Sequence, residues 1–226
     1  QEWQQELQEV RARPHSNVPA NFQQFRADLA QHLQCTPEDL PFVAELVEVP
    51  APHQAWRGAI ERALGSHRLR ILVPPTLMRD ALAWVNQRHN RLHVRLLEAR
   101  ADEDVTFWDD GFARKLNLRP HAHSAALRQL LAALDRHCVA DVEALAQTPH
   151  AMTQQGLMSG KAYHFDKQDQ KRLDQDWMTG FDNRDRLAQL TVQITQAEAQ
   201  WKQLDADKRK AQQALCHLRE QRVLWE

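Results

Sequence analysis

The sequence predicts a mixed, helix-rich α/β globule flanked by an antiparallel coiled-coil arm. Three observations carry this. An apolar stripe at alternating steps of three and four runs along the C-terminal end, and a shorter one opens the chain. Between them, short β-rich runs alternate with amphipathic helices. Only 6 Gly occur in 226 residues, which suits helices and argues against Gly-rich nucleotide loops.

At the N-terminus, Trp3, Leu7 and Val10 repeat the four-then-three step. Pro14 is expected to stop this helix and Pro19 to open another, with Phe22, Phe25, Leu29 and Leu33 on one face. Residues 1–36 thus read as an N-terminal arm segment. A globule follows over 37–183. Phe42–Val49 is a β-rich run closed by Pro50, and 53–64 is a helix presenting Trp56, Ile60 and Leu64, with Gly65 as its C-cap. Leu69–Val73 is a strand ended by Pro74-Pro75. The next helix turns Leu77, Met78, Ala81, Leu82 and Val85 to the core, and 92–97 is a further strand. An acidic loop spans 102–110, and Phe112–Leu118 reads as strand or short helix. Residues 123–136 form a helix through Leu127, Leu130, Leu131 and Leu134. A short strand at Val139 precedes a helix near 141–146, and 148–180 is polar and turn-rich.

The C-terminal arm segment, 184–226, is the clearest element. Its seam reads Leu187, Leu190, Ile194, Ala197, Trp201, Leu204, Lys208, Ala211, Leu215, Leu218, Arg222 and Trp225, with no Gly or Pro after Gly180. An antiparallel pairing with the N-terminal segment brings both termini side by side and sets Leu7 opposite Ala211, Leu215 or Leu218.

Composition excludes several classes. With 29 Lys+Arg against 30 Asp+Glu the net charge is −1, so neither a globally basic nucleic-acid binder nor an acidic tail fits. No apolar run is long enough to span a membrane. The opening residues lack a signal peptide's basic start and apolar stretch, and lack an initiator Met, as expected of a piece of a longer chain. Cys35, Cys138 and Cys216 are odd in number and far apart, which excludes a disulfide framework and suggests a reducing cytoplasm.

The residues that could carry chemistry are few. Gly156–Ala162 has only three residues between its glycines and Ala162 after Lys161, so it fails as a phosphate loop. His121 with His123, and His89 with His93, lack the further ligands a metal needs. Asp166, Asp169, Asp174 and Asp176 are interleaved with Lys167, Lys171 and Arg172, as in a solvated, ion-paired segment. No catalytic residue, metal or cofactor is predicted. The informative charge pattern is local: residues 53–100 hold nine Arg against Glu61, Asp80 and Glu98. Guanidinium forks suit phosphate oxygens, so Arg68, Arg70, Arg88, Arg91 and Arg95 are the DNA-contact candidates, with Arg91, His93 and Arg95 on one strand face by parity. The alternative is a solvated face balanced by the 102–110 loop.

Leu40–Val49, Ala55–Leu64, Ile71–Pro75 and Trp84–Asn86 resemble the hinge region of SMC-like ATPases, most closely the MukB/MksB/JetC type of bacterial Wadjet/Mks condensin systems. Thr179–Asn183 resembles the family's Gly-aromatic-Asp-Asn element ahead of the returning coiled coil, and His164–Lys167 partly matches a charged run of that family. The resemblance covers roughly 38–187. It implies a non-catalytic segment of a long ATPase in which two hinges form a homodimer and join coiled-coil arms. The complex would act on DNA with other condensin subunits, extruding loops and restricting plasmids in the cytoplasm, at the nucleoid or on plasmids. Candidate dimer edges are the 92–97 strand and the segment Phe112–Val139. The rival readings are a nucleic-acid-processing enzyme domain flanked by helices and a coiled-coil adaptor.

Overall fold

The computed structural model describes residues 2–12, 16–100, 102–161 and 163–223. Pro14 and Trp225, and the side chain of Arg222, lie outside the described residues. The fold is mixed α/β, as predicted. Helix α1 (Glu2–Arg11) packs on the first half of α8 (Arg184–Val223). The pairing is antiparallel: Gln4 bonds Glu198 while, further along α1, the Val10 carbonyl accepts from Asn183.

Helix α2 (Ala20–Leu33) does not continue the arm. Its Phe25, Leu29, Ala30 and Leu33 are buried against the globule, with Phe42, Ile71, Val73 and Ala81. Gln34 adopts a left-handed conformation, and its N–H caps the helix end on Ala30 and Gln31. The Phe42–Val49 run is also not one strand. Residues Val43–Leu46 form a helical turn, α3, and only Val47–Glu48 pair, as β1. The physical reason is Glu45. Its carboxylate accepts the Phe42 N–H and takes the Arg26 guanidinium, which closes the turn.

The helix predicted over 53–64 begins as a 3-10 segment, and α4 covers Arg57–Leu64, ended by Gly65 at positive φ. Strand β2 (Ile71–Val73), helix α5 (Pro75–Asn86) and β3 (Leu96–Glu98) form a β-α-β unit whose strands pair in parallel. Residues 92–95 are not strand, and Arg91 sits at φ 55, so the predicted Arg91–Arg95 strand face does not exist. Leu82 points to solvent rather than to the core. Beyond a 3-10 turn at Phe112–Lys115, β4 (Asn117–Leu118) pairs antiparallel with β1. Helix α6 (Ser124–Leu134) is as expected.

The strand expected at Val139 is β5 (His137–Cys138), just before it, the helix expected near 141–146 is α7 (Val142–Gln147), and the polar 148–180 region adds three strands that the pattern did not reveal. Strand β5, helix α7 and β6 (Ala151–Met152) make a second parallel unit. Antiparallel β7 (Leu157–Ser159) and β8 (Phe165–Lys167) extend it into a sheet of order β5-β6-β7-β8. Gly156, at φ 81, turns the β6–β7 hairpin, so the failed phosphate-loop motif opens in this turn and runs on into β7.

Two apolar clusters share β2. Leu72 faces a cluster built on α4, α6, Phe112 and Met152. Ile71 and Val73 face the one built on α2 and α5. Alternation along a strand buried on both faces thus joins the two halves of the globule. No described helix is long and apolar enough to cross a membrane.

Candidate functional site

Three surfaces bear on function: the root of the arm, the basic cluster, and the sheet edges. The root is built from the Thr179–Asn183 element. Glu61 is buried on α4. Its Oε1 accepts the Thr179 N–H at 3.0 Å, the Thr179 hydroxyl at 2.6 Å and the Met178 N–H at 3.2 Å, while Oε2 takes Arg68 Nη1 at 2.8 Å. Arg57, also buried, donates to the Thr179 carbonyl at 2.9 Å and lies 4.4 Å from the centre of the Trp177 ring. Gly180 N–H donates to the Ala44 and Val47 carbonyls. At φ +140, with Asn17 Nδ2 and the Asp182 carbonyl each 3.1 Å from where a Cβ would sit, the position requires glycine. Asn17 reaches the Thr179 and Asp182 carbonyls, and Arg119 donates to the Phe181 carbonyl and stacks on its ring. The Arg184 side chain holds the Asp182 carboxyl below its ordinary range. Helix α8 therefore leaves the globule from a strap fixed on every side.

The strap changes the reading of the basic cluster. Arg68 is buried and paired with Glu61, and it also bonds the Asp176 carbonyl, so it is withdrawn from the DNA-contact set. Arg62 likewise serves the strap, donating to the Lys171 and Arg172 carbonyls. Four candidates keep their guanidinium free of ion pairs among the described residues: Arg70, Arg88, Arg91 and Arg95. Arg70 bonds His67 Nδ1 at 2.8 Å, and Arg95 bonds His93 Nδ1 at 2.9 Å. Burial, then the nearby charges of Arg70 and Arg95, push the His67 pKa down, which places these three groups in one positive field. Arg88 stacks 4.0 Å over Trp84, just past the C-terminus of α5, where the helix dipole favours a cation. Arg91 is exposed.

Several of the titratable groups that the sequence singles out serve the structure. His121 and His123 bond the carbonyls of Glu38 and Asp39. Lys167–Asp169, Lys171–Asp176 and Arg172–Asp174 are ion pairs, as the interleaving implied. Burial pushes the Cys138 thiol up to about 12. Among the described residues no group of three or more His, Cys, Asp or Glu could hold a metal.

The predicted seam residues split in two. Val10 and Leu190 are buried, and Leu7, Leu187 and Ile194 are partly covered. Trp3 is exposed and lines a groove of about 420 Å³ with Ile194, Ala197 and Trp201. Beyond it the apolar seam of α8 is open to solvent: Trp201 is 67% exposed and Leu204 68%, and Leu215 and Leu218 are also exposed. Leu7 therefore faces the 190–194 stretch and not Ala211, Leu215 or Leu218. Ala211 lies 17 residues past Ile194, about 25 Å along the helix.

The predicted dimer edges differ in how they are covered. Strand β3 has β2 on one side and no strand on the other among the described residues, and a cleft of about 260 Å³ beside Leu97 and Glu98 separates it from α6. Within 112–139, β5 is bridged by Asp110–Phe112, and Trp108 stacks at 3.9 Å on His137. Strand β8 is a further terminal strand, which sequence reading missed because three residues in a polar stretch carry no alternation signal.

No family model matches the chain, and no curated protein does. Among solved structures it is similar to the folded elbow of cohesin, with 17% identity and a TM-score of 0.54 over 90% of this chain; it spans 29% of that one. It is also similar to the Pyrococcus furiosus Smc hinge domain with an extended coiled coil, with 17% identity, a TM-score of 0.47, and 96% of this chain and 79% of that one covered. For the Geobacillus stearothermophilus SMC hinge domain, solved as an asymmetric dimer, identity is 17% and the TM-score 0.45, with 90% and 88% covered. At this identity the likeness is one of fold.

Proposed function

We propose that the chain is the homodimerising hinge of an SMC-like subunit, joining two coiled-coil arms. The observation that carries this is the antiparallel pairing of α1 with α8 at the root fixed by Thr179–Asn183, with the α/β globule inserted between them. In this reading the arm consists of α1 and α8, and α2 belongs to the globule with residues up to 183. The resemblance of Leu40–Val49 and Thr179–Asn183 supports the MukB/MksB/JetC type. The parent would then be an ATPase of a Wadjet/Mks condensin, acting with other subunits at the nucleoid or on plasmid DNA by loop extrusion and plasmid restriction. The cluster of Arg70, Arg88, Arg91 and Arg95 supports weak, sequence-independent DNA contact.

A second reading has its own observation. The exposed seam at Trp201, Leu204, Leu215 and Leu218 suits an adaptor that associates through its arms. Light scattering separates the two. The hinge reading expects a dimer that survives the combined changes Leu204→Glu, Leu215→Glu and Leu218→Glu. A dimer abolished by these changes supports the adaptor, and a native chain that stays monomeric through the micromolar range sinks the hinge.

A further inference from the structure

We propose that Arg70 and Arg95 form a discrete site for a phosphomonoester, a dianion held between their two guanidinium groups. The site stands apart from the DNA reading, which needs only a positive face. Strands β2 and β3 pair in parallel, with Ile71 beside Leu96 and Leu72 beside Leu97. Each pair shares a face: Ile71 and Leu96 enter one apolar cluster, Leu72 and Leu97 the other. One step back, just before both strands, the same register sets Arg70 beside Arg95. The Ile71 N–H, donating to the Arg95 carbonyl at 3.0 Å, fixes that register. Two cations side by side on one face repel, so an anion there relieves a strain that the fold has built in.

The molecule holds these guanidinium groups without neutralising them. Arg26 and Arg68, elsewhere in the globule, are held by the carboxylates of Glu45 and Glu61. Arg70 and Arg95 have no ion pair among the described residues, and each is held by a histidine instead. Arg70 Nε donates to His67 Nδ1 at 2.8 Å, and Arg95 Nη2 donates to His93 Nδ1 at 2.9 Å. Arginine only donates, so each Nδ1 is an acceptor without a proton and each ring is neutral. The carbonyls of Leu96 and His93 take one further N–H each, and they too are neutral. Burial, then the charges of Arg70 and Arg95, push the His67 pKa down, which keeps that ring an acceptor. The two forks are thus aimed by neutral partners and keep their full charge for a ligand.

Charge and shape select the ligand. Two guanidinium charges match a dianion, and a diester or a side-chain carboxylate, with one charge, leaves one cation unanswered. A phosphomonoester carries close to two charges near neutral pH and offers three free oxygens to the two forks. A phosphodiester linkage offers only two. Two sources carry this chemistry: a free mononucleotide, and the phosphorylated end of a nucleic-acid strand. Both arginines are half-buried, so salt screens the site less than it would a fully exposed pair.

The test is calorimetry on the full chain at about pH 8, where a monoester holds two charges. Methyl phosphate should bind about tenfold more tightly than dimethyl phosphate. This preference is measured on the native chain and does not depend on how any variant folds. Arg70→Gln and Arg95→Gln, made separately, should each weaken methyl phosphate by about tenfold. Arg79→Gln, which alters an exposed arginine beside Asp80, should leave it unchanged. A single strand with and without its terminal phosphate, compared with adenosine monophosphate, identifies the source. A gain from the terminal phosphate assigns nucleic-acid ends, and binding of the mononucleotide without that gain assigns a free ligand. No binding of methyl phosphate, equal affinity for the two methyl esters, or binding unchanged in both arginine variants overturns the site. Such a result with salt-dependent duplex binding present leaves the DNA reading standing. A monoester bound through Arg70 and Arg95 by a chain that ignores duplex supports the site and removes that reading.

Discussion

Glu61 is the most consequential single side chain in the arm root, and its removal has a calculable cost. Its carboxylate is buried, accepts three bonds from Met178 and Thr179, and faces the Arg68 guanidinium at 2.8 Å and Arg57 Nε at 3.9 Å. Removing one partner of a buried pair leaves an uncompensated charge, which costs about 3–5 kcal/mol. Arg68 retains the Gly65 and Asp176 carbonyls and a 3.7 Å approach to the Asp176 carboxylate, so Glu61→Ala belongs near the lower end. Glu61→Gln keeps an acceptor for Thr179 and should cost less, about 1–2 kcal/mol, the difference between charged and neutral bonds. For a chain of this size each kcal/mol lowers the thermal midpoint by about 2–4 °C, so Glu61→Ala should lose about 6–12 °C. Denaturant unfolding followed by circular dichroism gives the free energies. Limited trypsinolysis reads the strap directly, since release of Met178 and Thr179 should speed cleavage at Lys171 and Arg172. A Glu61→Ala protein within about 1 kcal/mol of the native one, with unchanged cleavage, would refute the reasoning, because surface substitutions already reach half that.

The register of the arm gives a second test: in a Cys216→Ser background, Leu7→Cys should crosslink with Leu190→Cys or Ile194→Cys and not with Leu215→Cys, and the reverse pattern would show that the helices slide. If the basic cluster binds phosphates, affinity should fall steeply with salt, and Arg91→Glu with Arg95→Glu should lower the slope of log K against log salt by about two. An unchanged slope removes these residues from any DNA path. Stability should also depend on pH. Burial lowers the pKa of His67 and of His123, so the unfolded chain binds these protons at higher pH than the folded one. Their contribution is therefore complete above about pH 6.5 and is lost as pH falls toward the depressed folded values. His67→Gln with His123→Gln should flatten the fall in thermal midpoint between about pH 7 and pH 5, and an identical pH profile in that variant would show that other groups carry it.

What could be read from the sequence follows from how local each signal is. The α8 seam needs only a 3.5-residue period within one segment, so Leu187 to Leu218 declared a helix with a partner-seeking stripe. The β-α-β unit around Leu72 was legible because a short apolar run, Pro74-Pro75 and an amphipathic helix follow one another. The register of Leu7 was not legible, since it depends on where the Thr179–Asn183 strap delivers α8 to the arm. Arg68 looks like Arg70 in sequence, and only the strap's contacts separate a buried, paired guanidinium from a free one. Phe42–Val49 misled because every face of it is buried. Continuous burial erases the alternation that separates strand from helix, and a single carboxylate, Glu45, then decided for a helical turn. Strands of two or three residues, such as Phe165–Lys167, exist because a neighbour pairs with them, which no window of sequence contains.

The arm root also says how force would pass through the molecule. A pull on α8 reaches Asn183 first, then a strap whose carbonyls and N–H groups are held by Asn17, Arg57, Glu61 and Arg119. These partners come from distant parts of the chain, so the load divides among them rather than peeling one strand. Replacing such buried charges by apolar groups is often no less stable. Their directional bonds, however, fix one orientation of the strap, where an apolar contact would tolerate several. Behind them, Ile60 and Leu64 of the same α4 turn lie in the cluster that Leu72 shares, and the other face of β2 anchors α2 and α5. The globule can therefore resist a pull on its arm as one body, through β2.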